Sequence, residues 1–202
     1  MIPDSAALQR ILDQSYTETD DGTATPRAAV ASVFRKSDDG KGTELLFIQR
    51  ATKPTDPWSG QMAFPGGRKE AHDPSPQATA ARETSEEVSL GLDPESSVGS
   101  LSELDGGRAN NRRIIVSAHA FWLPGPRPEL EPNHEVAETV WVPLRDLGDP
   151  DRYIDYRYPL TDTVFPGIQL DREDQVIWGL TLRLLSDLFD RMKHPFIIDY
   201  QG

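Results

Sequence analysis

Residues 66–90 read GGRKEAHDPSPQATAARETSEEVSL, and this stretch decides how the rest of the chain is read. A Gly66-Gly67 turn precedes a polar loop, and the loop runs into strong helix-start chemistry. Ser75 is a good N-cap, and Pro76 suits the first helical position, where its missing N–H has no partner to lose. Residues 77–88 favour helix by composition, and Gly91 and Pro94 mark its end. On that helix Glu83 stands three positions from Glu86 and four from Glu87, so the carboxylates share one strip near the negative end of the helix dipole. They repel one another and call for positive charge. Arg82 can supply it, and so can a hard divalent cation, because Mg²⁺ is commonly held by carboxylates together with phosphate oxygens. For the glutamates alone, a solvated acidic helix face is the plainer reading. The paired glycines tip the balance toward a ligand, since backbone without Cβ can approach one closely.

The flanking segments predict a mixed α/β domain. Residues 28–34 and 44–49 read as a strand hairpin around Asp38-Asp39-Gly40, and residues 61–64 as a short strand. Residues 51–60 contain two prolines and read as irregular. Downstream, residues 114–123 and 137–142 read as strands, and residues 153–168 as a small hairpin around Thr161-Asp162. Residues 106–113, GGRANNRR, read as a loop carrying Arg108, Arg112 and Arg113, a basic cluster able to attract phosphates or to balance nearby acids. Residues 5–14 read as a short amphipathic helix. Residues 171–192 read as the longest helix, with Val176, Leu180, Leu184, Leu188 and Met192 at four-residue steps. The order lacks a regular βαβ alternation, which predicts a mixed sheet with helices on its faces. The expected organisation is a helix and flexible arm over 1–26, one domain over 27–195 and a tail over 196–202.

Composition narrows the function. The chain has 202 residues, 21 Lys+Arg against 33 Asp+Glu, and a formal net charge of −12. That balance argues against a nucleic-acid partner, which needs cations to displace phosphate counterions. No run approaches the ~18 apolar residues of a membrane span, and residues 1–14 lack secretory-signal character. Without cysteine there is no disulfide and no thiolate zinc site, and His72, His119, His134 and His194 lack zinc-type spacing. A cytoplasmic protein is expected.

The 66–90 segment resembles the Nudix box, the signature of the Nudix hydrolases. Phe64-Pro65-Gly66-Gly67 matches its lead-in, Arg82-Glu83 and Glu86-Glu87 its acidic core, and Leu90 its final apolar residue. The spacing from Gly67 to Arg82 is one residue longer than the general form. Asp73 stands at the first Glu position, Thr84 replaces an apolar residue, and Ser89 replaces a Gly. The resemblance implies an α/β fold of the Nudix type, an α/β/α sandwich with a mixed β-sheet between helices. It implies a Mg²⁺ or Mn²⁺ cofactor held by Glu83 and Glu87, with Glu86 as a further ligand or the base and the Gly67 carbonyl as an extra ligand. Arg82 would orient the glutamates. The implied reaction is hydrolysis of a nucleoside diphosphate linked to another moiety.

A second resemblance points to the coenzyme A pyrophosphatase branch. It lies in the longer box, in Gly60-Gln61-x-x-Phe64-Pro65-Gly66-Gly67 with Arg50 upstream, in Glu135-Val136 before Trp141-Val142-Pro143-Leu144, and in Ile177-Trp178-Gly179-Leu180-Thr181. The loop before Gly60 reads Thr55-Asp56-Pro57-Trp58-Ser59, where that branch carries Arg and His. The implied substrate is coenzyme A or a derivative, with nucleotide sugars or ADP-ribose as the alternative. A ligand sensor that keeps the fold without catalysis is the alternative of another class. Arg50 and Arg27 are candidates for diphosphate binding through guanidinium geometry. Trp58 can stack on a base or pack its loop, and the resemblance adds Gln61 and Gly66 as substrate contacts. Glu135 is a candidate general base or late metal ligand. A homodimer could form through the apolar C-terminal helix and the N-terminal arm.

Overall fold

The computed structural model describes residues 3–14, 25–53, 58–109, 112–159 and 161–194. Most of the expected arm, residues 54–57 of the loop before Gly60, and the tail lie outside the described residues. α1 (Ser5–Ile11) leads to β1 (Arg27–Lys36) and β2 (Thr43–Arg50). Two short strands follow, β3 (Met62–Ala63) and β4 (Gly66–Arg68), and then α2 (Pro76–Val88). Next come β5 (Ser97–Ser100), β6 (Leu104–Ala109), β7 (Arg112–Leu123), β8 (Val136–Pro143) and the single turn α3 (Leu144–Leu147). β9 (Tyr153–Arg157), β10 (Val164–Gln169) and β11 (Val176–Trp178) precede α4 (Gly179–Arg191).

The main sheet follows the path β3-β2-β1-β7-β5, with β8 on β2, β4 on β1 and β6 on β7. β1 and β7 run parallel from the Arg27–Ile115 pair to the Arg35–Leu123 pair, and the other pairs are antiparallel. Both faces are covered, so β1 and β2 are apolar on both sides. Ala29, Ala31, Val33, Leu46 and Ile48 pack with α2 residues Ala80 and Val88. Phe34, Leu45 and Phe47 pack on the opposite side with Leu8 of α1 and Leu184, Leu185 and Leu188 of α4. This is the expected sandwich. α1 shares that core and is pinned by an Arg191 Nη2–Asp13 ion pair of 3.0 Å.

Several local expectations are corrected. The helix expected over 171–192 is divided. Val176–Trp178 pairs with β10 as a strand, and Gly179, at φ +59°, breaks the chain direction before α4. The four-residue apolar step therefore ran across a strand and a helix. The Gly66-Gly67 turn is a strand, with Gly67 opposite Ala29 and Gly66 opposite Val30. The arginine-bearing loop before residue 114 is a β6–β7 ladder that pairs residue 108 with 113 and 109 with 112. The hairpin expected near Thr161-Asp162 does form, and it grows into a separate sheet of order β11-β10-β9.

α2 ends at Val88, and Ser89 itself takes the left-handed conformation at φ 58° while its N–H donates to the Ser85 carbonyl at 3.0 Å. A non-glycine residue is strained there. We predict that Ser89→Gly stabilises the fold by about 0.5–1 kcal/mol, read as a higher urea midpoint at unchanged slope.

Candidate active site

α2 positions the site. Ser75 Oγ accepts from the Ala78 N–H at 3.1 Å, and Pro76 occupies the first turn, as their chemistry predicts. Ala80 and Thr84 let the helix lie close to the small side chains of β1, and the Thr84 hydroxyl donates to the Ala80 carbonyl at 2.7 Å. Thr84 thus fills an apolar position without an orphaned donor. The same packing faces Glu83 and Glu87 toward β4. Glu87 is 3% exposed and accepts from the Gly66 N–H at 2.8 Å through Oε2. The Glu83 carboxyl lies against Gly67, where an added Cβ would meet Glu83 Cδ at 2.5 Å. A side chain at residue 67 would displace that carboxyl.

Burial sets the electrostatics. It pushes the Glu87 carboxyl up to about 7, against the opposing pull of the Gly66 N–H and Arg50. Glu83 is also raised, chiefly by burial, with Arg82 opposing. Glu135 is held below the ordinary carboxylate range by its hydrogen bond to Lys53 Nζ at 2.7 Å. Two raised carboxylates beside a cavity form a site that a cation would relieve.

Arg82 ties the site together. Its Nε and Nη2 donate to the two Asp73 carboxylate oxygens, each at 3.0 Å. Nη2 also reaches Glu83 Oε1 and the Arg68 carbonyl at 3.1 Å, and Nη1 reaches Glu86 Oε2 at 3.1 Å. Asp73 is buried, accepts from the Glu70 N–H and the Thr79 hydroxyl, and is held far below the usual carboxylate range, chiefly by Arg82. Asp73 therefore anchors the loop to the helix. Its position at the first acidic place of the box was the available signal for that role.

A cavity of about 790 Å³ opens beside these groups. Of the sequence candidates it brings together Glu83, Glu87, Gly66, Gly67, Arg50, Gln61, Trp58 and Glu135. Others stand apart. Glu86 is on the exposed flank of α2, paired with Arg82, and is not a lining residue. The reason is that Glu83 and Glu87, four residues apart, keep the sheet-facing side of the helix, while Glu86 is rotated off it. Arg27 lies outside the lining and pairs with Glu103 at 2.7 Å. Arg113 pairs with Asp105 at 2.7 Å, and the side chains of Arg108 and Arg112 lie outside the description. Sequence reasoning missed Lys53 as the partner of Glu135, and it missed the aromatic side chains Tyr158, Phe165 and Trp178 on the cavity wall.

The donor chemistry fits a hard divalent ion. Among the described residues no three His, Cys, Asp or Glu side chains gather closely enough to hold a metal on side chains alone. Glu83 and Glu87 could supply two carboxylates next to the Gly67 backbone, and Mg²⁺ is commonly held by one or two carboxylates with its other positions on water or phosphate oxygens.

Comparison with known proteins shows the family and the fold. A family model described as NUDIX domain matches residues 25–163. The chain is 39% identical over 112 residues to the uncharacterized protein C14C4.10c of Schizosaccharomyces pombe, covering 53% of this chain and 34% of that protein. It is 31% identical over 169 residues to Nudix hydrolase 22, chloroplastic, of Arabidopsis thaliana, covering 79% of this chain and 53% of that protein. The chain thus spans about a third to a half of the length of these curated relatives. Among solved structures, a MutT/nudix family protein from Enterococcus faecalis superposes with a TM-score of 0.61 at 15% identity, over 89% of this chain and 65% of that one.

Two outcomes follow from the electrostatics. Asp73→Ala leaves the Arg82 web without its buried partner, and we predict a loss of about 3 kcal/mol in urea unfolding. A proton at Glu87 competes with a cation. Because burial raises this carboxyl to about 7, Mn²⁺ affinity by calorimetry should fall as pH is lowered through 7, by up to roughly tenfold per unit, and level off well above it. Glu87→Gln should flatten that dependence.

Proposed function

Because the chain belongs to the NUDIX domain family, we propose that it is a divalent-metal-dependent pyrophosphohydrolase acting on a nucleoside diphosphate linked to a second moiety. One observation carries the reading. Glu83 and Glu87 meet Gly66 and Gly67 at the wall of the same cavity that Arg50 and Glu135 line. Coenzyme A or a derivative is the substrate we place first, on the longer box and the Gly60-Gln61 lead-in, with Gln61 on the cavity wall. The products would be adenosine 3′,5′-bisphosphate and 4′-phosphopantetheine. A cytoplasmic location belongs to the same proposal.

Glu83, Glu87 and the Gly67 carbonyl would hold Mg²⁺ or Mn²⁺. When bound, the ion supplies charge neutralisation at the diphosphate oxygens. The chain's own residues do the remaining work. The Arg50 charge acts on both cavity carboxylates, Glu87 and Glu135, and would orient a diphosphate. Glu135, kept ionised by Lys53, would take the proton of the attacking water. Water oxygen bonds to one phosphorus, the bridging P–O bond breaks, and the second phosphate leaves with the electron pair. Glu135 fits the base role better than Glu86, because it lines the cavity and Glu86 does not. Arg82 acts through Glu83 as a positioning residue.

The test is hydrolysis of coenzyme A, ADP-ribose and nucleotide sugars with and without Mg²⁺ or Mn²⁺, with products identified by mass. No metal-dependent cleavage of any of them would refute the proposal. Glu87→Gln should lower kcat by roughly a hundredfold or more. Its melting temperature should hold or rise, because Gln still accepts from the Gly66 N–H and removes a buried charge.

A further inference from the structure

We infer that the outer face of the small β9–β10–β11 sheet is a stacking subsite for the nucleobase of the substrate, with Tyr158, Phe165 and Trp178 as its specificity-determining rings. The inference rests on the nucleoside diphosphate reading above.

The two faces of this sheet differ in use. On one, Ile168 and Ile177 are fully buried in the core that includes α4. On the other, Tyr156 stands opposite Phe165, and Trp178 stands opposite Gly167. The Trp178 ring centroid lies 4.8 Å from Tyr158, 5.1 Å from Tyr156 and 5.1 Å from Phe165. A sheet with one buried face ordinarily turns polar residues outward. Here the outward face is a patch of rings, each only partly buried. Such a patch marks a binding surface, and this one is continuous with the cavity that holds Glu83 and Glu87.

The occupant follows from the chemistry. Because every ring packs on Trp178, the surface is rigid before a ligand arrives, which suits a flat partner. The aliphatic part of the lining comes from other elements, with Val30 on β1, Val116 on β7 and Leu180 on α4. A flexible arm would find its surface there, and a planar heterocycle would find it on the rings. Thr161 and Thr163 at the hairpin tip also line the cavity, with hydroxyls suited to a base edge. Phe165 and Trp178 lie beyond residues 25–163, so the family match does not account for those two rings.

The probe is AMP, titrated calorimetrically without metal into wild type, Tyr158→Ala, Trp178→Ala and Trp178→Phe. Base-on-ring stacking of about 1–3 kcal/mol corresponds to roughly fivefold to hundredfold weaker AMP binding in the alanine variants, with Trp178→Phe recovering most of it. In turnover, KM for coenzyme A, or for ADP-ribose where that is the compound cleaved, should rise by a similar factor while kcat changes much less. The kcat/KM preference for that substrate over its abasic analogue should fall about tenfold or more. AMP affinity indifferent to Tyr158→Ala overturns the inference, as does a loss confined to 4′-phosphopantetheine binding. The two readings fail separately. AMP binding that depends on Tyr158 in a protein that cleaves no diphosphate removes the hydrolase and keeps the subsite. Cleavage with ring-independent AMP affinity removes only the subsite.

Discussion

The site depends on one close contact, the seating of α2 on β1 and β4 through residues with almost no side chain. Ala29, Ala31 and Ala80 bring helix and sheet together, and Gly67 lets the Glu83 carboxyl lie against backbone. At that spacing Glu87 is withdrawn from solvent and accepts a hydrogen bond from the Gly66 backbone N–H. Larger residues would lift the helix, hydrate the acids and return them to ordinary behaviour. The electrostatic tension therefore comes from packing, and any cation affinity comes from the tension.

Positive charge is distributed so that the tension is not discharged internally. Arg82, the nearest cation on the helix, spends its bidentate geometry on Asp73. It gives Glu83 one contact of 3.1 Å and fixes its rotamer without neutralising Glu87. Lys53 is committed to Glu135, and Arg27 to Glu103. Arg50 acts on Glu87 and Glu135 electrostatically. In a chain of net charge −12, this pairing leaves the cavity wall acidic at Glu83 and Glu87 and cationic at Arg50.

Much of this was legible in the sequence, for identifiable reasons. Ser75, Pro76 and the glutamate spacing carry their structural meaning locally, so α2 and the Glu83–Glu87 face could be read from short-range rules. The hairpins near Gly40 and Asp162 were legible through turn chemistry. The misreadings share another cause. Val176–Trp178 is a short apolar run whose residues continue the periodicity of α4, and periodicity alone does not separate a buried strand from a helix. The decisive fact, Gly179 at φ +59°, is conformational. Gly66-Gly67 read as a turn because glycines usually signal one. Their use here is set by the Glu83 carboxyl across the gap, a tertiary fact. Glu86 looked equivalent to its neighbours because a helical strip is wide, and only packing against β4 divides it.

The aromatic wall shows why side chains gathered by strand register are harder to read than side chains gathered by one helix. The α2 carboxylates sit at fixed intervals, so their pattern survives in one dimension. Tyr158, Phe165 and Trp178 come from three places joined only by strand register, and each alone reads as a core residue. Their assembly depends on β11 being a strand. Had residues 171–192 formed one helix, Trp178 would stand among the apolar positions of α4 and the wall would not exist. Correcting that single element relocates an indole from the core to the cavity. The break at Gly179 is thus as consequential for the aromatic cavity wall as the glycine pair is for the seating of the α2 carboxylates.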